Sequence, residues 1–363
     1  MSSIIGPKEL ILFQVGILVL GTLLALILTP ICRRMAFRFG VLDNPGTRKV
    51  HKEPKPLLGG LAIFLSFDIV LFVLWRLGYI GPAHSLQVLS IAAGGLVIMI
   101  VGLIDDIRPM KARVKLLMQV VISVVAALII IWGDVRLSVY VLDANDVLAF
   151  VVTVIWVVGI TNSFNLLDNM DGLSAGVSVI ASISFAVIGV MQCEPVVSML
   201  SLAIAGSCLG FLRYNLHPSR IFMGDAGSMF VGFTLASVAV LGVYTRITDV
   251  PKLAVMTPLL VLAVPIFDTA SVIWIRWRGH QPIFVGDKNH LSHRLVSFGM
   301  SQSKAVLFIY LVAGLMGLMG ILVSTLKIEQ AVFLFLYAAA TFVIIGILLS
   351  VRRSGAGRDH RRD

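Results

Sequence analysis

Charged side chains are scarce in this sequence: 13% of 363 residues are Asp, Glu, Lys or Arg, while 58% are hydrophobic. Soluble domains carry about 25% charged and about 45–50% apolar residues, so water is excluded as the main solvent of a chain whose mean hydropathy is +0.99. Cysteine is scarcer still. Cys32, Cys193 and Cys208 form an odd set without disulfide or metal-ligand spacing, which argues against a disulfide framework or a thiolate zinc site; they read as small core or interface residues. A short, basic-flanked leader is lacking too. The first apolar run is too long and too poorly flanked for a cleaved signal peptide, and is expected to stay as a helix.

What the sequence has in abundance is long apolar runs. A helix needs about 20 such residues to cross a hydrocarbon core of about 30 Å, and about eleven runs qualify. They are expected at Ile11–Pro30, Leu57–Trp75, Ser85–Ile104, Lys115–Trp132, Val147–Phe164, Gly172–Gln192, Val196–Leu212, Ala226–Tyr244, Ala254–Ile275, Ala305–Ser324 and Ala331–Ser350. The connections are short, so the fold class expected is all-α: one polytopic membrane bundle over residues 1–350, followed by a basic tail at 351–363.

Orientation follows from the placement of Lys and Arg, which collect in cytoplasmic loops. The segments 31–56, 105–115, 213–225, 276–304 and 351–363 hold 23 of the 29, which puts the N-terminus outside and the C-terminus in the cytoplasm. The same asymmetry accounts for the net charge of +10 without nucleic acid, since each basic residue beside an anionic leaflet is worth about 1 kcal/mol.

Carboxylates near a bilayer are costly and need a reason. Asp105, Asp106, Asp168, Asp171, Asp225 and Asp268 all fall on the cytoplasmic side by this orientation. Singly, each reads equally well as an interfacial residue or an N-cap; as a set they point to a site. Asn165, Asp168 and Asp171 recur every third position and share a face on a helical turn, whereas the neighbours Asp105 and Asp106 point about 100° apart and can serve different tasks. Oxygen ligands favour Mg²⁺, or Mn²⁺, over zinc. His290, His293 and Arg294 place two imidazoles and a guanidinium at i, i+3 and i+4, a pattern suited to a phosphate or nucleotide or to a basic loop on headgroups. Lys49, Lys52 and Lys55, leading to Gly59-Gly60, and Lys111, Arg113 and Lys115 complete a basic margin around the carboxylates.

Five segments, in order and on one membrane side, resemble the polyprenyl-phosphate N-acetylhexosamine-1-phosphate transferase superfamily, glycosyltransferase family 4. They are Lys-Val-His-Lys-Glu-Pro-Lys-Pro-Leu-Leu-Gly-Gly (49–60), Gly-Leu-Ile-Asp-Asp (102–106), Asn-Leu-Leu-Asp-Asn-Met-Asp-Gly (165–172), Phe-Met-Gly-Asp-Ala-Gly-Ser (222–228) and the histidine loop ending at Arg294. With Pro-Ile-Phe-Asp-Thr (265–269) and about eleven spans, the chain is more similar to the bacterial undecaprenyl-phosphate N-acetylglucosamine-1-phosphate transferases than to the phospho-MurNAc-pentapeptide translocases. One position departs: members of the first group carry a further histidine immediately before the last, and here it is Ser292.

The resemblance implies an enzyme of the plasma membrane, with its site on the cytoplasmic face, that passes a sugar 1-phosphate from a UDP-sugar to undecaprenyl phosphate and releases UMP. UDP-N-acetylglucosamine is the donor expected first, with UDP-MurNAc-pentapeptide or another UDP-N-acetylhexosamine as the alternative. The step would open cell-envelope polysaccharide synthesis, and a homodimer is compatible with it. Asp225 is expected as the principal Mg²⁺ ligand beside Asp171 or Asp105. Asp105 or Asp106 would orient or deprotonate the lipid phosphate, Asn165 and Asp168 would hold the nucleotide sugar, and Lys52, Lys115, His290, His293 and Arg294 would offset phosphate charge. The competing class, an anion or nucleotide-sugar transporter, needs polar groups at mid-membrane on broken helices; only Asp68 lies near mid-span, and most runs read as unbroken.

Overall fold

The computed structural model describes residues 7–45, 53–132, 146–242, 256–282 and 289–359. Within them the chain forms thirteen helices and one short hairpin. The helices are α1 (Pro7–Phe39), α2 (Gly59–Arg76), α3 (Pro82–Ile107), α4 (Ala112–Trp132), α5 (Asp146–Leu167), α6 (Leu173–Met191), α7 (Pro195–Asn215), α8 (Gly224–Leu241), α9 (Thr257–Val261), α10 (Ala263–Arg278), α11 (Leu291–Ser297), α12 (Gln302–Val323) and α13 (Ile328–Asp359). Strands β1 (Leu42–Asp43) and β2 (Lys55–Pro56) pair antiparallel, with Leu42 opposite Pro56.

Nine of these helices are long and apolar enough to cross a membrane. The chain is an all-α polytopic membrane bundle. Leucine, valine and isoleucine remain exposed along the outer faces of α1, α3, α12 and α13, as lipid-facing helices require, because hydrocarbon does not penalise them.

Three expected spans differ from those observed, the last of them running past Ser350 into the expected tail, to Asp359. The first does not stop at Pro30 but continues to Phe39; a proline removes one hydrogen bond, which a membrane helix tolerates where neighbours compensate. Here Cys32 and Ala36 on the extra turns pack against Val41, Leu58 and Ala62. The ninth run is not one helix. It breaks at Leu262 into α9 and α10, with Pro258 at the first turn of α9. Hydropathy cannot register that break, since Leu262 is as apolar as its neighbours and fully buried.

At the centre stands α8, buried along nearly its whole length and flanked by α2, α3, α5, α6 and α7. Close approach of backbones explains its small residues. A Cβ at Gly60 would lie 2.1 Å from the Gly227 nitrogen, and one at Gly102 would lie 2.5 Å from the Ala226 nitrogen. The N-terminus of α8 is thereby held at one fixed height against α2 and the end of α3.

Candidate active site

A cavity of about 740 Å³ opens at the end of the bundle where α1, α3, α5 and α7 finish and α2, α4, α6, α8 and α12 begin. Its size lies within the range of about 300–1,000 Å³ usual for small-molecule sites. Seven carboxylate residues line it: Asp43, Glu53, Asp105, Asp106, Asp168, Asp171 and Asp225. Lys55, His217 and His293 are the basic residues in the same wall.

The floor is built where α3, α4, α5 and α8 converge. Asp105 and Asp106 divide their duties as their helical separation requires. Asp106 turns inward: its two oxygens accept the backbone N–H groups of Asp225 (2.8 Å) and Ala226 (3.0 Å), so a carboxylate satisfies the positive end of α8. Gly224 makes this possible, because it adopts φ +71° and a Cβ there would meet the Asp106 Oδ2 at 2.6 Å. Asp105 turns outward, with Oδ1 accepting from Met110 N–H at 2.6 Å and Oδ2 lying 2.8 Å from Lys115 Nζ.

Lys115, in the first turn of α4, joins the remaining groups. Its ammonium also lies 2.5 Å from Asp225 Oδ2 and 3.1 Å from Asn165 Oδ1. From the last turn of α5, the Asn165 amide donates to Asp225 Oδ1 at 2.6 Å and to Ser228 Oγ at 2.9 Å. Four residues from four helices are thus in direct contact.

Asp168 and Asp171 lie where α5 gives way to α6. Asp171 Oδ2 is 2.8 Å from His217 Nδ1 and accepts from Ser219 N–H at 3.1 Å. Asp168 has no such partner among the described residues. Burial first, and then the nearby carboxylates of Asp225 and Asp171, push its carboxyl up to about 8, which favours its protonated form.

The opposite wall comes from α11. His293 lines the cavity, whereas His290 and Arg294 do not. His290 is buried at 5% exposure with Nδ1 2.8 Å from Asp268 Oδ2, and Asp268 Oδ1 accepts the Leu291 N–H at 2.6 Å. Asp268 therefore fastens the start of α11 to α10. Ser292, fully buried, donates to Asn169 Oδ1 at 2.5 Å, and Asn169 Nδ2 donates to Leu166 O. This second bond joins α11 to the turn after α5. Lys52 lies outside the described residues.

Several lining residues carry no motif that the sequence reading used. Asp43 arrives through the β1–β2 pairing, opposite Lys55 of the 49–60 segment. His217 and Ser219 clamp Asp171, and Asn215 accepts the Gly172 N–H. Their only signal was position, as polar residues in the loops of the basic side.

Among the described residues, no three His, Cys, Asp or Glu side chains converge as a ready metal cage. The set that does converge is oxygen-only: Asp105, Asp225 and the Asn165 carbonyl face one cation, the Lys115 ammonium. Such a set fits Mg²⁺, which protein sites usually hold through one or two carboxylates plus substrate phosphate and water.

The model of glycosyl transferase family 4 matches residues 88–243, a stretch that includes Asp105, Asp106, Lys115, Asn165, Asp168, Asp171 and Asp225. The chain is 36% identical over 318 residues to a probable undecaprenyl-phosphate N-acetylglucosaminyl 1-phosphate transferase of Bacillus subtilis (strain 168), covering 87% of this chain and 86% of that one. It is 34% identical over 311 residues to a decaprenyl-phosphate N-acetylglucosaminephosphotransferase of Mycobacterium tuberculosis (strain ATCC 25618 / H37Rv), covering 78% and 76%. Identity to the undecaprenyl-phosphate alpha-N-acetylglucosaminyl 1-phosphate transferase of Escherichia coli (strain K12) is 26% over 325 residues, covering 86% and 84%.

Proposed function

The chain belongs to glycosyl transferase family 4, the polyprenyl-phosphate N-acetylhexosamine-1-phosphate transferases, and we propose that it transfers N-acetylglucosamine 1-phosphate from UDP-N-acetylglucosamine to undecaprenyl phosphate. As a member it is a membrane enzyme that moves a sugar phosphate onto a polyprenyl phosphate. UMP is the second product, Mg²⁺ is required, and the reaction takes place at the cytoplasmic face of the plasma membrane as the first membrane step of an envelope polysaccharide. Support for that face is the gathering of 23 of 29 Lys and Arg in five segments, four of which also supply described residues that line the cavity.

The observation that carries the reading is the convergence of Asp105, Lys115, Asn165 and Asp225, of which Asp105 and Asp225 line a cavity together with five further carboxylates. Two polyanions must meet there. Unit charges 4 Å apart repel by about 4 kcal/mol at an effective dielectric of 20, and Lys55, Lys115, His217 and His293 cannot cancel several such repulsions beside the cavity's carboxylates. When bound, Mg²⁺ supplies the missing positive charge at the diphosphate oxygens, with Asp225 and Asp105 as its protein ligands and Asp171 within the same wall.

An oxygen of the lipid phosphate attacks the β-phosphorus of the donor, and the bond from that phosphorus to the oxygen bridging to UMP breaks. A phosphate monoester, with its second pKa near 6, is already largely dianionic at pH 7, so no strong base is needed and the protein's contribution is positioning and electrostatics. Asp106 fixes the height of Asp225 through the α8 backbone. Asn165 orients the Asp225 carboxylate, Asp168 can donate its proton to a donor hydroxyl or carbonyl, and His293 and Lys115 face the phosphates.

The test is release of UMP by membranes containing the protein. It is expected only when UDP-N-acetylglucosamine, polyprenyl phosphate and Mg²⁺ are all present, and to stop on addition of a chelator. Turnover in excess chelator, or without the lipid acceptor, overturns the reading.

A further inference from the structure

We propose that the Lys115 ammonium competes with a divalent metal for the oxygens of Asp105, Asp225 and Asn165, so that metal binding is an exchange in which the ammonium must leave. The inference rests on the reading of Asp105 and Asp225 as metal ligands and goes beyond it. Nζ lies 2.8 Å from Asp105 Oδ2, 2.5 Å from Asp225 Oδ2 and 3.1 Å from Asn165 Oδ1. Those are the oxygens a hard cation would take.

The two cations cannot share the position. Mg²⁺ binds carboxylate oxygen at about 2.0–2.1 Å, and an ammonium still in contact with the same two oxygens would sit against it at van der Waals distance with like charge. Lysine is suited to such an exchange, since its compact head rides on four rotatable carbons, and here the stem rises from the first turn of α4. The contact is not a solvent-screened surface pair: the side chains of Lys115 and Asp105 are 13% and 10% exposed. Against Asp105 and Asp225 the ammonium keeps two close carboxylates neutralised. In the loaded protein it is released toward the donor's phosphates, whose arrival compensates its departure.

Metal affinity without donor is therefore lowered by the fraction of time the ammonium is away. If that fraction is about one tenth, removing the ammonium tightens binding about tenfold. The charge required for turnover is lost by the same substitution. Lys115→Met should thus move metal affinity and rate in opposite directions, which a purely structural or purely phosphate-binding lysine would not do.

The experiment titrates Mn²⁺ alone into the full-length protein in detergent, reading free Mn²⁺ by its paramagnetic resonance signal, with no nucleotide or lipid present. Lys115→Met is expected to bind Mn²⁺ about tenfold more tightly than the parent and Lys115→Arg within about twofold of it, while Lys115→Met loses turnover. Lys115→Gln provides the same comparison should the methionine variant lose its helical circular dichroism. Equal or weaker binding by the neutral variants, with binding abolished by Asp225→Asn, overturns the exchange and leaves the metal assignment standing. Absence of Mn²⁺ binding in every protein, the neutral variants included, overturns the metal assignment and the exchange together.

Discussion

Where α8 meets α2 and α3, glycine faces bring backbone against backbone, with an added Cβ at Gly60 lying 2.1 Å from the Gly227 nitrogen, whereas α11 is fastened to its surroundings by side-chain bonds from Asp268 and Ser292. The floor of the cavity belongs to the first kind of joint and the histidine wall to the second. A close-packed backbone joint has no slack, so the height of Asp225 is set by the fold itself and by the two N–H groups held on Asp106. A seven-residue helix joined to its surroundings through the side-chain bonds of Asp268 and Ser292 and the buried Leu291 and Leu295 has less backbone contact than α8 and shifts at smaller cost. In the proposed reaction this difference divides the tasks: the metal-binding groups, whose error tolerance is smallest, stand on the rigid joint, and His293, facing the donor, stands on the adjustable one.

The largest effect should come from the floor. Asp225→Asn leaves the Asp106 anchor and the α8 packing untouched but replaces a carboxylate by an amide, a poor ligand for Mg²⁺. Loss of one preorganised electrostatic partner costs about 10²–10³ in rate, and the Mg²⁺ concentration for half-maximal rate should rise well above that of the parent. Steady-state rates against Mg²⁺ read both quantities. A near-native rate with unchanged Mg²⁺ dependence would move the metal off the rigid joint and dissolve the comparison.

An intermediate effect is expected at the hinge of the adjustable wall. Asp268→Ala strands the Leu291 N–H and the His290 ring, both buried, at about 1–3 kcal/mol each. Asp268→Asn keeps an oxygen for the Leu291 N–H and gains a donor for the other His290 tautomer, so it should be much milder. Because α11 carries His293 into the cavity, the alanine variant should raise KM for the UDP-sugar roughly tenfold, the equivalent of about 1.4 kcal/mol, with a smaller change in kcat. A loss in kcat without any in KM would place Asp268 with the catalytic floor.

Much of this division was legible in the sequence, and the limit is physical. The apolar runs reveal the bundle because spanning length and hydropathy are local properties. The adjacency of Asp105 and Asp106 already forces them onto different faces, which the structure realises as one carboxylate on the α8 backbone and one on Met110 and Lys115. The bond from Ser292 to Asn169 joins residues 123 apart, and that between His217 and Asp171 joins residues 46 apart. No spacing rule reaches across such distances. The break at Leu262 stayed hidden for a different reason: periodicity and hydropathy do not change there, and only Pro258 and Pro265 hinted at it.

The smallest effect tests whether Ser292, standing where the resemblance places a further histidine, belongs to the adjustable wall at all. Ser292→Ala removes the donor to Asn169 Oδ1 in a buried setting, a change of about 0.5–1.5 kcal/mol. It should raise KM for the donor by a factor of about two to ten without altering the Mg²⁺ requirement. Asn169 also lines the cavity, so Asn169→Ala alone confounds loss of the bond with loss of a direct contact. The double variant separates them. If Asn169 acts only through Ser292, adding Asn169→Ala to Ser292→Ala changes KM no further, and the coupling energy equals the single cost. A further rise in the double variant measures the direct contact of Asn169 with substrate. Full additivity, or a shift in Mg²⁺ dependence in the serine variant, would show that the bond between α11 and the turn after α5 does not hold the wall.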